Sequence, residues 1–113
     1  MTVSERAVDS VTVLDLVGDI KLDEGAGQLR DKVRSLLQQG KTRVLVNLAG
    51  VPYVDSAGLG ELVQAYAVAG KQGGALKLVS ATKRLRDLLV ITKLATVFEM
   101  FDDEPTALAS FKK

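Results

Sequence analysis

The period of the apolar positions changes several times along the chain, and each change predicts an element. Residues 3–8 and 11–18 are rich in apolar and β-branched side chains, as strands are, and Asp9-Ser10 fits the turn between them. In Val11-Thr12-Val13-Leu14-Asp15-Leu16-Val17 most positions are apolar, which predicts a strand covered on both faces. Gly18-Asp19 breaks that run. From Asp23 to Gln39 the period becomes helical: Leu29, Val33, Leu36 and Leu37 fall at i, i+4, i+7 and i+8. Asp23 and Glu24 suit the helix start and Gly40 its stop.

The run Val44 to Ala49 is nearly all apolar, the pattern of a central parallel strand. A second helix follows from Ser56 to Ala69, carrying Leu59, Leu62, Val63 and Tyr66 and ending at Gly70. Gly73-Gly74 leads into the strand Ala75–Val79. Thr82 is placed to cap a third helix that buries Leu85, Leu88 and Leu89. Thr96 to Phe101 reads as a short edge strand. Asp103-Glu104-Pro105 opens a last helix with Leu108 and Phe111, with proline in the first turn. The order ββαβαβαβα predicts a single α/β domain over residues 1–113, with a mixed, mostly parallel sheet of four to five strands and about four helices. Ligands and partners of such sheets meet the loops beyond the carboxyl ends of the strands. Segment 50–60 is one of those loops.

Composition narrows the chemistry. The 113 residues suffice for one core, and 47% hydrophobic with 26% charged residues is ordinary for a soluble domain. A net charge of +1 gives no basic field for nucleic acid. No stretch approaches membrane-spanning length, and Met1 to Arg6 lacks the apolar core of a signal peptide, so a cytoplasmic protein without direct membrane insertion is expected. Cysteine and histidine are both absent. Disulfides, thiolate chemistry, the usual base for a serine nucleophile and the commonest transition-metal ligands are therefore missing. The expectation is a non-enzyme with no cofactor and no metal.

Asp55-Ser56-Ala57-Gly58-Leu59-Gly60 is the most informative stretch. It joins a buried strand to a helix start, where backbone N–H groups point outward and the helix dipole favours negative charge. The bland reading of Ser56 is a helix N-cap, for which Asp55 competes; neither has the Glu or Gln three positions on that a capping box requires. Gly58 and Gly60 each weaken a helix by roughly 1 kcal/mol relative to alanine. Close approach of another molecule is the cause expected for both.

Other candidates carry less. Gly40-Lys41-Thr42 resembles the end of a phosphate-binding loop, but Ser35 stands where that loop needs glycine, and the segment runs from helix to strand. Gly25-Ala26-Gly27 weakens the expected start of the first helix. Either the preceding loop runs further, or the segment is a second exposed backbone stretch beside Ser56. Lys83, Arg84 and Arg86, with Asp87 adjacent, read as a solvated helix face; the alternative, holding a phosphate or an acidic partner, has no support in their spacing. Tyr53 and Tyr66 read as core or rim.

Val54-Asp55-Ser56-Ala57-Gly58-Leu59-Gly60 after a buried strand resembles the signature of the STAS domain, found in anti-sigma factor antagonists. Gly18-Asp19-Ile20 is similar to that family's Gly-Glu-Leu after the second strand. Gly73 to Leu78 is similar to its Gly-Gly strand entry, and Lys83-Arg84-Leu85 to its following helix. The resemblance spans nearly the whole chain.

It implies a phosphorylation-controlled binding switch. The unphosphorylated protein would bind an anti-sigma factor that is also a serine kinase and so free the sigma factor; phosphorylation of Ser56 would end that binding, and a PPM-type serine phosphatase would reset it. ATP would belong to the partner kinase. The resemblance places the phosphoacceptor at Ser56 and partner contacts at Asp55, Ala57, Gly58, Leu59, Gly60, Asp23 and Gly25. Ala57 removes a second hydroxyl seen in some members. The family's acidic residue after Gly-Glu-Leu is Lys21 here, and Asp23 is the carboxylate available to replace it. The alternative implied by the same resemblance is a non-catalytic STAS subunit of a lipid-transport type ABC transporter, with the same loop docking unphosphorylated.

Overall fold

The computed structural model describes residues 1–112 and contains a five-stranded sheet in the order β1-β2-β3-β4-β5. β1 (Thr2–Val8) and β2 (Val11–Val17) form an antiparallel hairpin turned at Asp9, which takes a positive φ of 54°. β3 (Arg43–Gly50), β4 (Ala75–Val79) and β5 (Met100–Phe101) add in parallel to β2. The helices are α1 (Ala26–Gln38), α2 (Ser56–Lys71), α3 (Lys83–Ile91) and α4 (Glu104–Ser110). The predicted single mixed α/β sheet with four helices is what forms.

Alternation along the strands assigns the two faces. Leu14 and Leu16, Val44, Val46 and Leu48, and Leu76 and Leu78 point to one side, where they pack with Leu29, Val33 and Leu36 of α1, Leu62 of α2 and Leu85 and Leu89 of α3. Val11, Val13, Leu45 and Val79 point to the other side, under Ala107 and Phe111 of α4 and its end. Both faces of β2, β3 and β4 are thus covered, which explains their nearly unbroken apolar runs.

The α4 face also holds two polar anchors. The Arg6 guanidinium donates to both Asp15 oxygens, at 2.6 and 3.0 Å, and to Glu104 at 2.6 and 3.2 Å, while Asn47 donates to Asp15 at 2.8 Å. This network ties three strands to the start of α4. Lys77 is almost fully buried, and its ammonium donates to the Ser110 carbonyl at 3.1 Å, pairs with Glu99 at 3.1 Å and lies 4.6 Å from the Phe111 ring centre. A buried charge of this kind is tolerable because it is fully partnered.

Three elements differ in extent from the sequence expectation. α1 begins at Ala26 rather than Asp23, because Lys21 bridges back to Glu24 and Gly25 and the chain turns at Gly25 with a φ of 93°. Asp23 and Glu24 therefore lie outside the helix, and no acidic residue occupies its first turn. α2 runs through Gly70 to Lys71, and the stop comes at Gly73, whose φ is 76°. β5 is only two residues long: Leu94–Thr96 form a 3₁₀ turn, and Phe98 is buried with its ring edge-on to Tyr66 at 5.3 Å.

Candidate functional site

Beyond the sheet, β2 and β3 leave side by side. The Ile20 amide donates to the Tyr53 carbonyl at 3.0 Å, the Asp55 amide donates to the Ile20 carbonyl at 3.2 Å, and Ile20 and Val54 form a parallel bridge. The loop that opens α2 is therefore zipped to the loop that precedes α1. Its position is fixed by backbone hydrogen bonds.

Asp55, not Ser56, is the N-cap of α2. One carboxylate oxygen accepts from the Gly58 amide at 2.8 Å and the other from the Leu22 amide at 3.0 Å. These two bonds, with a smaller contribution from the Lys21 charge, hold the Asp55 carboxyl below the usual carboxylate range. Since Asp55 fills the capping role, Ser56 becomes the first helical residue, and its exposed hydroxyl has no hydrogen-bond partner among the described residues. The cap reading of Ser56 is therefore wrong. A free, exposed hydroxyl beside a fixed carboxylate is what remains.

The two glycines of the turn have different causes. A Cβ on Gly58 would collide with the Ile20 carbonyl oxygen, so this glycine is required by the chain's own loop and not by a visitor. Gly58 is buried accordingly. Gly60 is exposed, and a Cβ there would meet nothing. Only Gly60 leaves room that the fold itself does not use. Gly25 is buried at the entry to α1 and close to the Asp19 carbonyl, so it shapes the loop from within and offers no exposed backbone beside Ser56.

Two hollows flank the start of α2. One, of about 460 Å³, is lined by Leu22, Gly27, Arg30, Ala57 and Gly60. The other, of about 450 Å³, lies toward α3 and is lined by Tyr53, Ser56, Leu59, Arg84, Leu88 and Ile91. Around them stand apolar side chains left in solvent: Leu22 is 70%, Ile91 78% and Tyr53 39% exposed. Ser56, Ala57, Leu59 and Gly60 thus share one accessible end of the molecule, with Asp23 exposed in the adjoining turn. Lys21, at the position where an acidic residue was expected, pairs with Asp19 at 3.6 Å. Leu22 and Ile91 join this surface without a sequence expectation behind them, and Arg84 joins it from the basic cluster of α3. The exposed apolar pair Val90-Ile91, off the buried stripe of α3, was the available signal.

A protein-family model described as "Mlab, STAS domain" matches residues 3–101. The chain belongs to the STAS domain family. A curated relative, the anti-sigma-B factor antagonist of Bacillus subtilis, is 36% identical over 87 residues, covering 77% of this chain and 78% of that protein. Among solved structures, a Thermotoga maritima protein assigned as an anti-sigma factor antagonist superposes with a TM-score of 0.92 at 22% identity, covering 98% of this chain and 95% of the other. The Bacillus cell fate determinant SpoIIAA, in its phosphorylated form, gives 0.75 at 20% identity, covering 96% and 98%. These two structures establish the STAS fold. In this STAS domain the signature residues 54–60 lie at the carboxyl end of the sheet, as the sequence implies. Among the described residues no helix is long and apolar enough to cross a membrane.

Proposed function

We propose that this STAS protein is an anti-sigma factor antagonist whose binding is switched by phosphorylation of Ser56. The observation that carries the reading is the free Ser56 hydroxyl, held at an exposed rim beside apolar hollows because Asp55 does the capping. The 36% identical relative supports the choice of partner class. The partner is an anti-sigma factor that is also a serine kinase, and the chain itself is a non-catalytic binding module. In the transfer, the bond from Ser56 Oγ to the γ-phosphorus forms as the bond to the ADP oxygen breaks, and the hydroxyl proton passes to a base on the kinase. A PPM-type phosphatase hydrolyses the ester and resets the switch.

Phosphorylation adds about −1.5 to −2 charges at pH 7, enough to reverse the formal net charge of +1. It does so beside Asp55, on a surface whose exposed neighbours Tyr53, Leu22 and Ile91 suit an apolar contact. Desolvating that charge opposes docking without any refolding. Isothermal titration of the anti-sigma kinase from the same cells tests this. Ser56→Ala is expected to bind as the unmodified protein does and Ser56→Asp at least about tenfold more weakly, a loss of about 1.4 kcal/mol. Equal affinities for the two variants would contradict the reading.

A further inference from the structure

The basic cluster of α3 is divided in its commitments. Lys83 pairs with Asp87 at 3.0 Å, and Arg86 pairs with Asp102 at 3.1 Å and donates to the Ala81 carbonyl. Arg84 has no carboxylate partner among the described residues; its guanidinium lies 5.4 Å from the Tyr53 ring centre. Arg84, Tyr53 and Ser56 line the same hollow. The other charges near that hollow are already engaged. Asp55 spends both oxygens on backbone amides, Asp87 is held by Lys83, and Lys21 is held by Asp19. The hollow therefore presents one uncommitted cation on the wall facing the serine loop.

A guanidinium resting on a tyrosine face gains about 0.5–1 kcal/mol at an exposed site. A charge-assisted, two-pronged contact with a phosphate is stronger and matches the guanidinium fork. Resting on the ring keeps the group in the hollow without neutralising it.

We propose that Arg84 is the internal receiver of the phosphoryl group: on modification of Ser56 it leaves the Tyr53 ring and pairs with the phosphate, closing the hollow between α2 and α3. This inference rests on Ser56 being the modified residue. It adds a second consequence of phosphorylation, since the same event that charges the loop withdraws Arg84 and occupies the hollow. Arg84 is a positioning residue here, not a catalytic one.

The test needs no kinase. Phosphoserine is placed at position 56 during translation, and its phosphorus resonance is followed by NMR from roughly pH 4 to pH 8, across the second phosphate ionisation near 6. Arg84→Gln is expected to raise that midpoint by about half a pH unit or more, Arg84→Lys to fall between, and Lys83→Gln to move it by less than half as much. Lys83→Gln removes a charge one residue away and also releases Asp87, which lines the hollow, so its shift is an upper bound on the general field. Equal shifts for Arg84→Gln and Lys83→Gln, or none for Arg84→Gln, would overturn the proposal. Either result leaves partner binding unaddressed, so failure here is distinct from failure of the switch itself.

Discussion

The Asp55 carboxylate and the Leu22 amide are joined at 3.0 Å across 33 residues of chain, while the second Asp55 oxygen caps α2 through Gly58. One side chain thus fixes both loops at the exposed end of the sheet. That arrangement frees Ser56 from capping and holds Leu22 at the rim of the surface around it.

Asp55→Ala should therefore lose a cap and leave the Leu22 amide without its partner. A destabilisation of about 1–2 kcal/mol is expected, at the upper end of the range for capping residues. It is read as a lowered urea midpoint with an unchanged slope. Asp55→Asn, which keeps an acceptor oxygen, should lose less.

Gly58 and Gly60 should part company when each is changed to alanine. Gly58→Ala drives a methyl into the Ile20 carbonyl and should destabilise the domain by about 1–3 kcal/mol. Gly60→Ala enters open space within a helix and should stabilise it by up to about 1 kcal/mol. Thermal unfolding of the two variants gives the comparison directly.

That contrast also marks where the sequence was legible. The strand-to-helix junction, the order of elements, the Thr82 cap and the opening of the last helix at Asp103-Glu104-Pro105 followed from local pattern, because each depends on neighbours close in sequence. The cause of Gly58 did not, since it lies in the Ile20 carbonyl, far away in sequence. Gly70 looked like a stop but sits on an exposed face of α2, where nothing penalises it beyond its own propensity. The shortness of β5 likewise depends on burial of Phe98 against Tyr66, a contact that no local period encodes. Arg84 could be distinguished from its basic neighbours only once their ion-pair partners were in place.

Stability should be flat from about pH 7 to pH 5 and fall in acid, since there is no histidine to titrate in that interval. Asp15 is held below its ordinary value by Arg6 first and Asn47 after it, and Asp55 by the Gly58 and Leu22 amides. A depressed folded value means that the stabilisation is complete above the unfolded value near 3.9 and is lost as pH falls through the lower folded one. Urea unfolding at a series of pH values should show the loss setting in below about pH 4. Arg6→Gln should lower stability at neutral pH and flatten the acid limb.

Leu22→Ser and Ile91→Ser should weaken binding to the anti-sigma kinase without weakening the fold. Both side chains are largely in solvent, so little apolar burial is lost within the domain. If the rim is the docking surface, each should lower affinity by about fivefold or more, the loss expected of a contributing interface residue. Titration calorimetry beside a melting curve separates the two effects.

Modification of Ser56 is the central claim, and one measurement reaches it most directly. Trypsin cutting after Arg43 and Lys71 isolates residues 44–71, in which Ser56 is the sole serine or threonine. Mass spectrometry of that peptide, from protein isolated from its own cells in growth, stress and stationary phase, should show phosphate on Ser56 in at least one state. An unmodified 44–71 peptide in every state, from cells whose other phosphoproteins are preserved, would contradict the account.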